Sequence, residues 1–239
     1  MALRADTRPS ETTPTPTERE ALRATLVARL PRWYSPWAHL AFPSLVGAGL
    51  IAAAVMRLHA VSVLDLLFVP FLLVFANVIE WTVHATALHR WLWSLGVLFQ
   101  RHTPEHHMVF VCDDMAMRST REFGMVLIPA YGILAIFLGT LPLTALLWLL
   151  RPNLALLYVA TSMGYVVAYE WLHLAYHLPH PGPISESRLI CRLRRHHATH
   201  HTPELMQRWN FNVTVPLADW LFGTIYRPGA PRASDIHAA

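Results

Sequence analysis

Charge is scarce in this sequence. Only 14% of the 239 residues are acidic or basic, against 54% apolar. Soluble domains carry about a quarter charged residues, so a membrane class is favoured. Lysine is absent, and the formal excess of +4 comes from arginines set near the ends of apolar segments. That placement suits an anionic cytoplasmic leaflet. A nucleic-acid partner would need a basic stripe on a soluble surface, so none is expected. Cysteine is equally sparse. Cys112 and Cys191 exclude a disulfide framework and predict reduced thiols in a cytosolic setting. No apolar core lies near residue 10, so a cleaved signal peptide is not expected.

What is abundant is long apolar sequence. Residues 1–17, rich in Thr, Pro and charge, are expected to be a disordered tail. Thr17 and Glu20 have capping-box spacing, and Leu22, Leu26 and Leu30 recur every four residues. Residues 18–30 therefore predict a short amphipathic helix on the membrane surface, with a plain solvated helix as the alternative. Trp33, Tyr34 and Trp37 among Pro31 and Pro36 complete an interfacial segment over 18–37. Four spans come next, at about 38–57, 60–83, 122–150 and 153–176, paired into two hairpins by turns at Arg57-Leu58-His59 and Arg151-Pro152-Asn153. Pro70, Pro129 and Pro142 are interruptions of a kind that membrane helices tolerate. Residues 91–100 are apolar but too short to cross, and predict an interfacial or re-entrant piece. The membrane domain is expected to occupy 38–227, with 228–239 a flexible tail.

Four spans put both termini on one side. Arg29, Arg32, Arg90, Arg101, Arg118, Arg121, Arg188, Arg192, Arg194 and Arg195 fall on that side, against Arg57 and Arg151 opposite. The positive-inside rule makes the arginine-rich side cytoplasmic. The expected fold is an all-α, multi-pass integral membrane protein, with four transmembrane helices in two hairpins beneath a cytoplasmic helical cap.

Histidine is concentrated in that cap, in four clusters that form two matched pairs. His84-Ala-Thr-Ala-Leu-His89 precedes His102-Thr-Pro-Glu-His106-His107. His173-Leu-Ala-Tyr-His177 precedes His197-Ala-Thr-His200-His201. Each pair comes after an apolar stretch and opens with Glu-Trp, at Glu80-Trp81 and Glu170-Trp171. On a regular helix, residues four apart share a face. His173 and His177 can then bind one ion together, as can His102 and His106, and His197 and His201. Neighbours such as His106 and His107, or His200 and His201, diverge by about 100°, so one of each can serve a second ion. His84 and His89, five apart, are expected to point different ways.

A lone histidine at a membrane interface is usually an ordinary polar residue, and His39, His59 and His237 are read so. His180 and His196 stand outside the repeat as surface or supporting groups. Ten clustered imidazoles are another matter. Each unpaired buried polar group costs roughly 2–7 kcal/mol, and hydrated histidines have no reason to repeat in two matched sets. Two neighbouring metals use all ten. Imidazole suits iron, zinc, copper and nickel, so ligand type does not choose among them.

The spacings HX4H, HX3HH, HX3H and HX2HH on a four-span scaffold resemble the fatty acid hydroxylase and sterol desaturase superfamily of membrane enzymes. The segment from Asn210-Phe211-Asn212 to Asp219-Trp220-Leu221-Phe222-Gly223-Thr224 resembles the stretch after the last cluster in that superfamily. The likeness covers roughly residues 80–224 and is nearest to the fatty acid 2-hydroxylase branch. It implies two iron ions, with zinc a substitute in purified protein, that use O2 to oxidise a lipid C–H bond. The implied ligands are His84, His89, His102, His106, His107, His173, His177, His197, His200 and His201. Glu80, Glu170 and Asp219 are candidates to accept hydrogen bonds from those imidazoles, or else to cap helices. Three residues precede the His-His pair in the second cluster where many relatives have two, and Asn212 stands where relatives often have glycine. No cytochrome b5-like stretch is fused at the N-terminus, so a separate electron carrier, a ferredoxin or a cytochrome b5-like protein, is implied.

The implied activity is hydroxylation of a lipid or fatty acyl chain, with desaturation on the same site as an alternative. A zinc-dependent membrane hydrolase belongs to a different class. It would use three protein ligands per zinc and a base carboxylate, which suits the histidine surplus poorly. Bis-histidine haem would need imidazoles facing each other mid-membrane rather than gathered at one end.

Overall fold

The computed structural model describes residues 14–229. Most of the two expected tails, 1–13 and 230–239, lies outside the described residues. Within them the chain is helical and has no strand.

The first helix, α1 (Pro16–Arg29), starts earlier than expected. Thr15 is its cap, accepting from the Glu18 N–H at 3.3 Å while Glu18 accepts from the Thr15 N–H at 2.8 Å, with Pro16 in the first turn. The competing Thr17–Glu20 pair loses because Pro16 has no N–H to bond and favours the first helical position. Nor is α1 merely laid on a surface. Arg19 pairs with Asp113 and Asp114 at 3.7 and 3.8 Å, Arg23 pairs with Glu122, and Leu26 enters a buried cluster with Leu40, Val109, Phe110, Phe123 and Leu174. One face of α1 is therefore committed to the cap.

Three helices are long and apolar enough to cross a membrane: α2 (Pro36–Met56), α3 (Val63–Val83) with its continuation to Leu88, and α7 (Ala130–Leu150). They leave large apolar side chains such as Leu45, Leu66, Phe71, Leu138 and Leu149 exposed, a surface suited to lipid rather than water. Helix α3 begins at Val63, three residues later than expected, because Ser62 and Asp65 form a reciprocal capping box. The fourth long helix, α8 (Pro152–Tyr176), packs against α2, α3 and α7. At Gly47 of α2 the two helices are in close contact, since an added Cβ would stand 2.6 Å from Val167 Cγ2. At the end remote from the histidines, the two turns hold each other. Arg151 meets Asp65 at 2.9 Å, and Asn153 brackets His59 through its N–H and C=O at 3.3 and 2.7 Å.

The stretch expected as one span over 122–150 is broken. A short helix, Phe123–Val126, ends at Leu127, and α7 starts only after Pro129. Proline pushes the residue before it out of helical geometry, and here the freed Ile128 peptide is used at both ends. Its N–H donates to Glu170 Oε1 at 3.2 Å and its carbonyl meets His39 Nε2 at 2.9 Å. Pro70 and Pro142 lie inside continuous helices, and Pro43 does so in α2. Residues 91–100 form two short turns with Trp91, Trp93 and Val97 exposed.

Candidate metal centre

The histidines are delivered by the ends of α3 and α8, by the stretch Arg101–His107 between them, and by one further helix in the cap, Arg188–His200 (α9, the cap also holding α4, Gly96–Gln100, α5, His107–Val109, and α6, Phe123–Val126). Two segments depart from α geometry. His84–Leu88, continuing α3, and Arg101–His106 are π-helical. In a π turn the backbone bond runs from i to i+5, so residues five apart come together. His84 and His89 accordingly lie nearly parallel, with ring centroids 5.1 Å apart at 18°. His102 and His107 meet Nε2 to Nε2 at 3.0 Å.

All ten imidazoles come together, in two groups of five. One holds His84, His89, His102, His107 and His200; the other holds His106, His173, His177, His197 and His201. Within each group one ring nitrogen per residue lies within 4.8 Å of all the others. The pairs His173–His177 and His197–His201 share a group as α spacing predicts, and the two His-His dipeptides are split between groups. Two expectations fail. His84 and His89 share a group, and His102 and His106 do not. Both outcomes arise from the π turns, which replace four-residue by five-residue neighbours.

Backbone carbonyls set the ring orientations. Nδ1 of His106, His177 and His200 donates to the carbonyls of Met125, Met115 and Trp209 at 3.0, 2.8 and 2.8 Å. His84 and His201 do the same to Phe211 and Phe110. His89 Nδ1 reaches the Thr103 hydroxyl at 3.2 Å, whose own proton goes to the Leu88 carbonyl at 2.7 Å. A neutral imidazole has one N–H. Spending it outward leaves a bare Nε2 lone pair facing inward. Those lone pairs face neighbouring ring nitrogens: His84 faces His102 Nε2, and the His89 and His200 lone pairs face each other, both at 2.9 Å. Nε2 of His106, His173 and His177 is buried with no hydrogen-bond partner. Lone pairs this close repel unless a cation lies among them, so the donor sets fit one metal ion each.

Protonation favours the same conclusion. Burial, reinforced by neighbouring imidazoles, holds His102, His106, His107, His197, His200 and His201 well below the ordinary imidazole pKa. Neutral rings are the form that binds metal.

The three carboxylates act one step further out than the sequence suggested. None bonds a clustered imidazole among the described residues. Glu80 accepts from the N–H groups of Val213 and Thr214, the Thr214 hydroxyl and the Tyr165 hydroxyl. Asp219 accepts from the N–H groups of Phe211 and Asn212 at 2.9 and 2.8 Å, from Thr224, and from His196 at 3.0 Å. Burial would raise the Asp219 carboxyl, but these bonds outweigh it and hold its pKa below the usual value. Together Glu80 and Asp219 anchor the strap over 209–215, whose Trp209 and Phe211 carbonyls orient His200 and His84. Glu170 supports the break before α7 instead. His196 serves the strap through Asp219.

Asn77 gave no signal in the sequence, and Asn210 and Asn212 stood out there only through the family resemblance. Asn77 donates to Tyr165, Thr214 and the Val215 carbonyl at 3.0, 3.2 and 2.8 Å. Asn210 adopts a left-handed φ of 58° and bonds the His196 carbonyl at 3.0 Å; asparagine tolerates that backbone better than most residues. Asn212 uses its amide to reach Asn77 O at 3.1 Å and the Asp219 N–H at 3.0 Å.

Residues 69–224 match the family model for fatty acid hydroxylase, which is more than half of the chain. The chain belongs to the fatty acid hydroxylase family. No curated protein and no solved structure matches it. The matched span opens within α3 and closes at Thr224, so it contains all ten imidazoles and the strap that orients them. Membership implies an oxidoreductase. The apolar helices and histidine groups fit a metal-binding enzyme of the membrane.

Proposed function

We propose that this fatty acid hydroxylase family member is a membrane-bound di-iron oxygenase that hydroxylates a lipid or fatty acyl C–H bond, nearest in type to fatty acid 2-hydroxylases. The observation that carries the reading is the sorting of ten imidazoles into two sets of five, with no carboxylate in either. His84, His89, His102, His107 and His200 would hold one iron, and His106, His173, His177, His197 and His201 the other. When bound, the iron pair supplies the stepwise redox chemistry that O2 requires. The balance is R–H + O2 + 2 H⁺ + 2 e⁻ → R–OH + H2O, with the electrons from a ferredoxin or a cytochrome b5-like protein.

The chain's own residues hold and orient. The carbonyls of Phe110, Met115, Met125, Trp209 and Phe211 fix the imidazole tautomers, and Thr103 does so for His89. Glu80 and Asp219 keep the strap in register. Phe110, Phe211 and Tyr176, all buried, line the groups with hydrocarbon and exclude water. A hydrolase reading lacks support because a base carboxylate is missing from both groups.

For topology, α8 is taken as the fourth span. It is less apolar than the other three, which suits a helix surrounded by α2, α3 and α7 with little lipid contact. The arginine bias then puts both termini and the metal centre on the cytoplasmic side, where an acyl chain can rise from the bilayer while its polar end stays at the interface. The test is to supply iron-loaded protein with reductant, lipid extract and ¹⁸O2. A lipid carrying one ¹⁸O atom supports hydroxylation. An unsaturated, unlabelled product would assign desaturation, and O2-independent lipid cleavage would assign hydrolysis.

A further inference from the structure

Helix α9 has two faces of opposite character. Ile190, His197 and His200 are buried on one, with His201 just beyond. On the other, Arg188, Arg192 and Arg195 are exposed at i, i+4 and i+7, which aligns them in a single row. Arg194 flanks the row, half-buried. None of the four guanidinium groups has an ion pair or hydrogen bond among the described residues; the Arg195 carbonyl accepts from the Thr199 hydroxyl. This sets them apart from Arg19, Arg23, Arg118 and Arg151, each paired with a carboxylate. Four uncompensated cations within eight residues repel one another, a cost that the fold does not require for packing.

Beside the row lies a cavity of about 450 Å³ between α9 and the loop after the second cluster, lined by Arg194, Arg195, Ala198, Asp113 and Met115 among others. Asp113 is already engaged by Arg19, so the cations remain uncompensated. The Met115 carbonyl accepts the Nδ1–H of His177 at 2.8 Å, and Ala198 is the chain neighbour of His197. Cavity and arginine row therefore sit directly outside the second histidine group. A body seated there is separated from His197 by one helix thickness, about 10 Å.

We infer that the Arg188–Arg192–Arg195 face of α9 is the docking surface for an acidic electron-carrier protein, which passes electrons through the α9 end of the cap to the second histidine group. This rests on the oxygenase reading above. Charge complementarity selects the partner: an unpaired cation row steers an anionic surface and fixes its register. A headgroup layer is the less favoured occupant, because the exposed interfacial tryptophans Trp33, Trp37 and Trp93 lie on other segments. Each turnover consumes two electrons, so two one-electron carriers are oxidised for each O2 reduced and each C–H bond hydroxylated.

The test uses the full, iron-loaded chain in neutral phosphatidylcholine nanodiscs, with an acidic [2Fe–2S] ferredoxin as probe and a small uncharged reductant as reference. Combined Arg188→Glu, Arg192→Glu and Arg195→Glu should raise the KM for reduced ferredoxin about ten-fold or more. Turnover with ferredoxin should fall by a similar factor relative to turnover with the small reductant, and the three Arg→Lys replacements should restore most of it. Binding of oxidised ferredoxin, which needs no turnover, should weaken in the glutamate variant by the same factor and weaken in wild type as salt rises. Unchanged binding and KM in the glutamate variant would overturn the docking assignment. So would an effect confined to discs containing phosphatidylglycerol, which would assign the row to lipid headgroups. If neither reductant yields hydroxylated lipid while binding still depends on the arginines, the reaction assignment fails and the surface stands.

Discussion

His107 and His201 stack with ring centroids 4.1 Å apart and planes 23° from parallel, although they belong to different groups of five. They are the point at which the two candidate ion sites adjoin. Each also has a chain neighbour in the opposite group: His106 stands at 88° to His107, and His200 at 86° to His201. Two dipeptides thus tie the sites together, so that neither can shift without the other.

Removal of adjacent histidines should therefore affect different ions. His106→Ala should weaken the second site and His107→Ala the first, each lowering bound iron from about two ions per chain to about one. Metal analysis after gel filtration checks this, with a spectroscopic iron signature to show that the two singly loaded proteins differ.

Glu80 collects four donors from the strap and from Tyr165. Glu80→Leu leaves them buried without an acceptor, at about 1–3 kcal/mol each. It should lower the unfolding temperature and release metal from the His84 group, since the Phe211 carbonyl loses its position. Glu80→Gln keeps one acceptor oxygen and should fall between. Thermal unfolding and iron retention in parallel give the measurement.

Metal-free protein should lose stability in mild acid. The six cap imidazoles titrate well below the ordinary value of 6.5, so between that value and their folded pKa the unfolded state binds more protons. Stability is then greatest above about pH 6.5 and falls as pH drops, by up to about 1.4 kcal/mol per unit for each imidazole. Denaturation of apo protein across pH 5–8 should show this slope, and saturating metal should move its onset to lower pH.

Gly47 lets α2 and α8 touch. Gly47→Leu drives side-chain atoms into Val167, a β-branched residue with little freedom to turn away. Overpacking of this kind costs about 1–3 kcal/mol. It should lower thermal stability and, through α8, reduce iron in the His173–His177 group. Gly49, where an added Cβ meets nothing within 4 Å, should tolerate alanine.

The long helices and the histidine sets were legible because both are written in composition and spacing. What the spacing could not reveal was that two segments abandon α geometry. An α-helical reading of His102 and His106 puts them on one face, and the π turn moves His102 to His107 instead. Pro104 is the one hint, because its ring clashes with a carbonyl one turn back and cannot donate. Nothing in His84–Leu88 gives an equivalent hint. The orienting acceptors were hidden for another reason: a backbone carbonyl belongs to every residue, and only the fold brings that of Phe211 to His84 from 127 positions away. Glu80, Glu170 and Asp219 were recognisable as acids beside the clusters, but their partners are backbone amides and side chains of other segments that no pattern announces.

Ten imidazoles sharing two ions underlie every other inference, and iron content per chain measures that sharing most directly. Protein expressed with ample iron and purified without chelator should contain about two irons per chain. His84→Ala and His173→Ala should each lower the count, and their combination should lower it further than either. A single ion per chain in wild type, or a count that neither substitution changes, would contradict it.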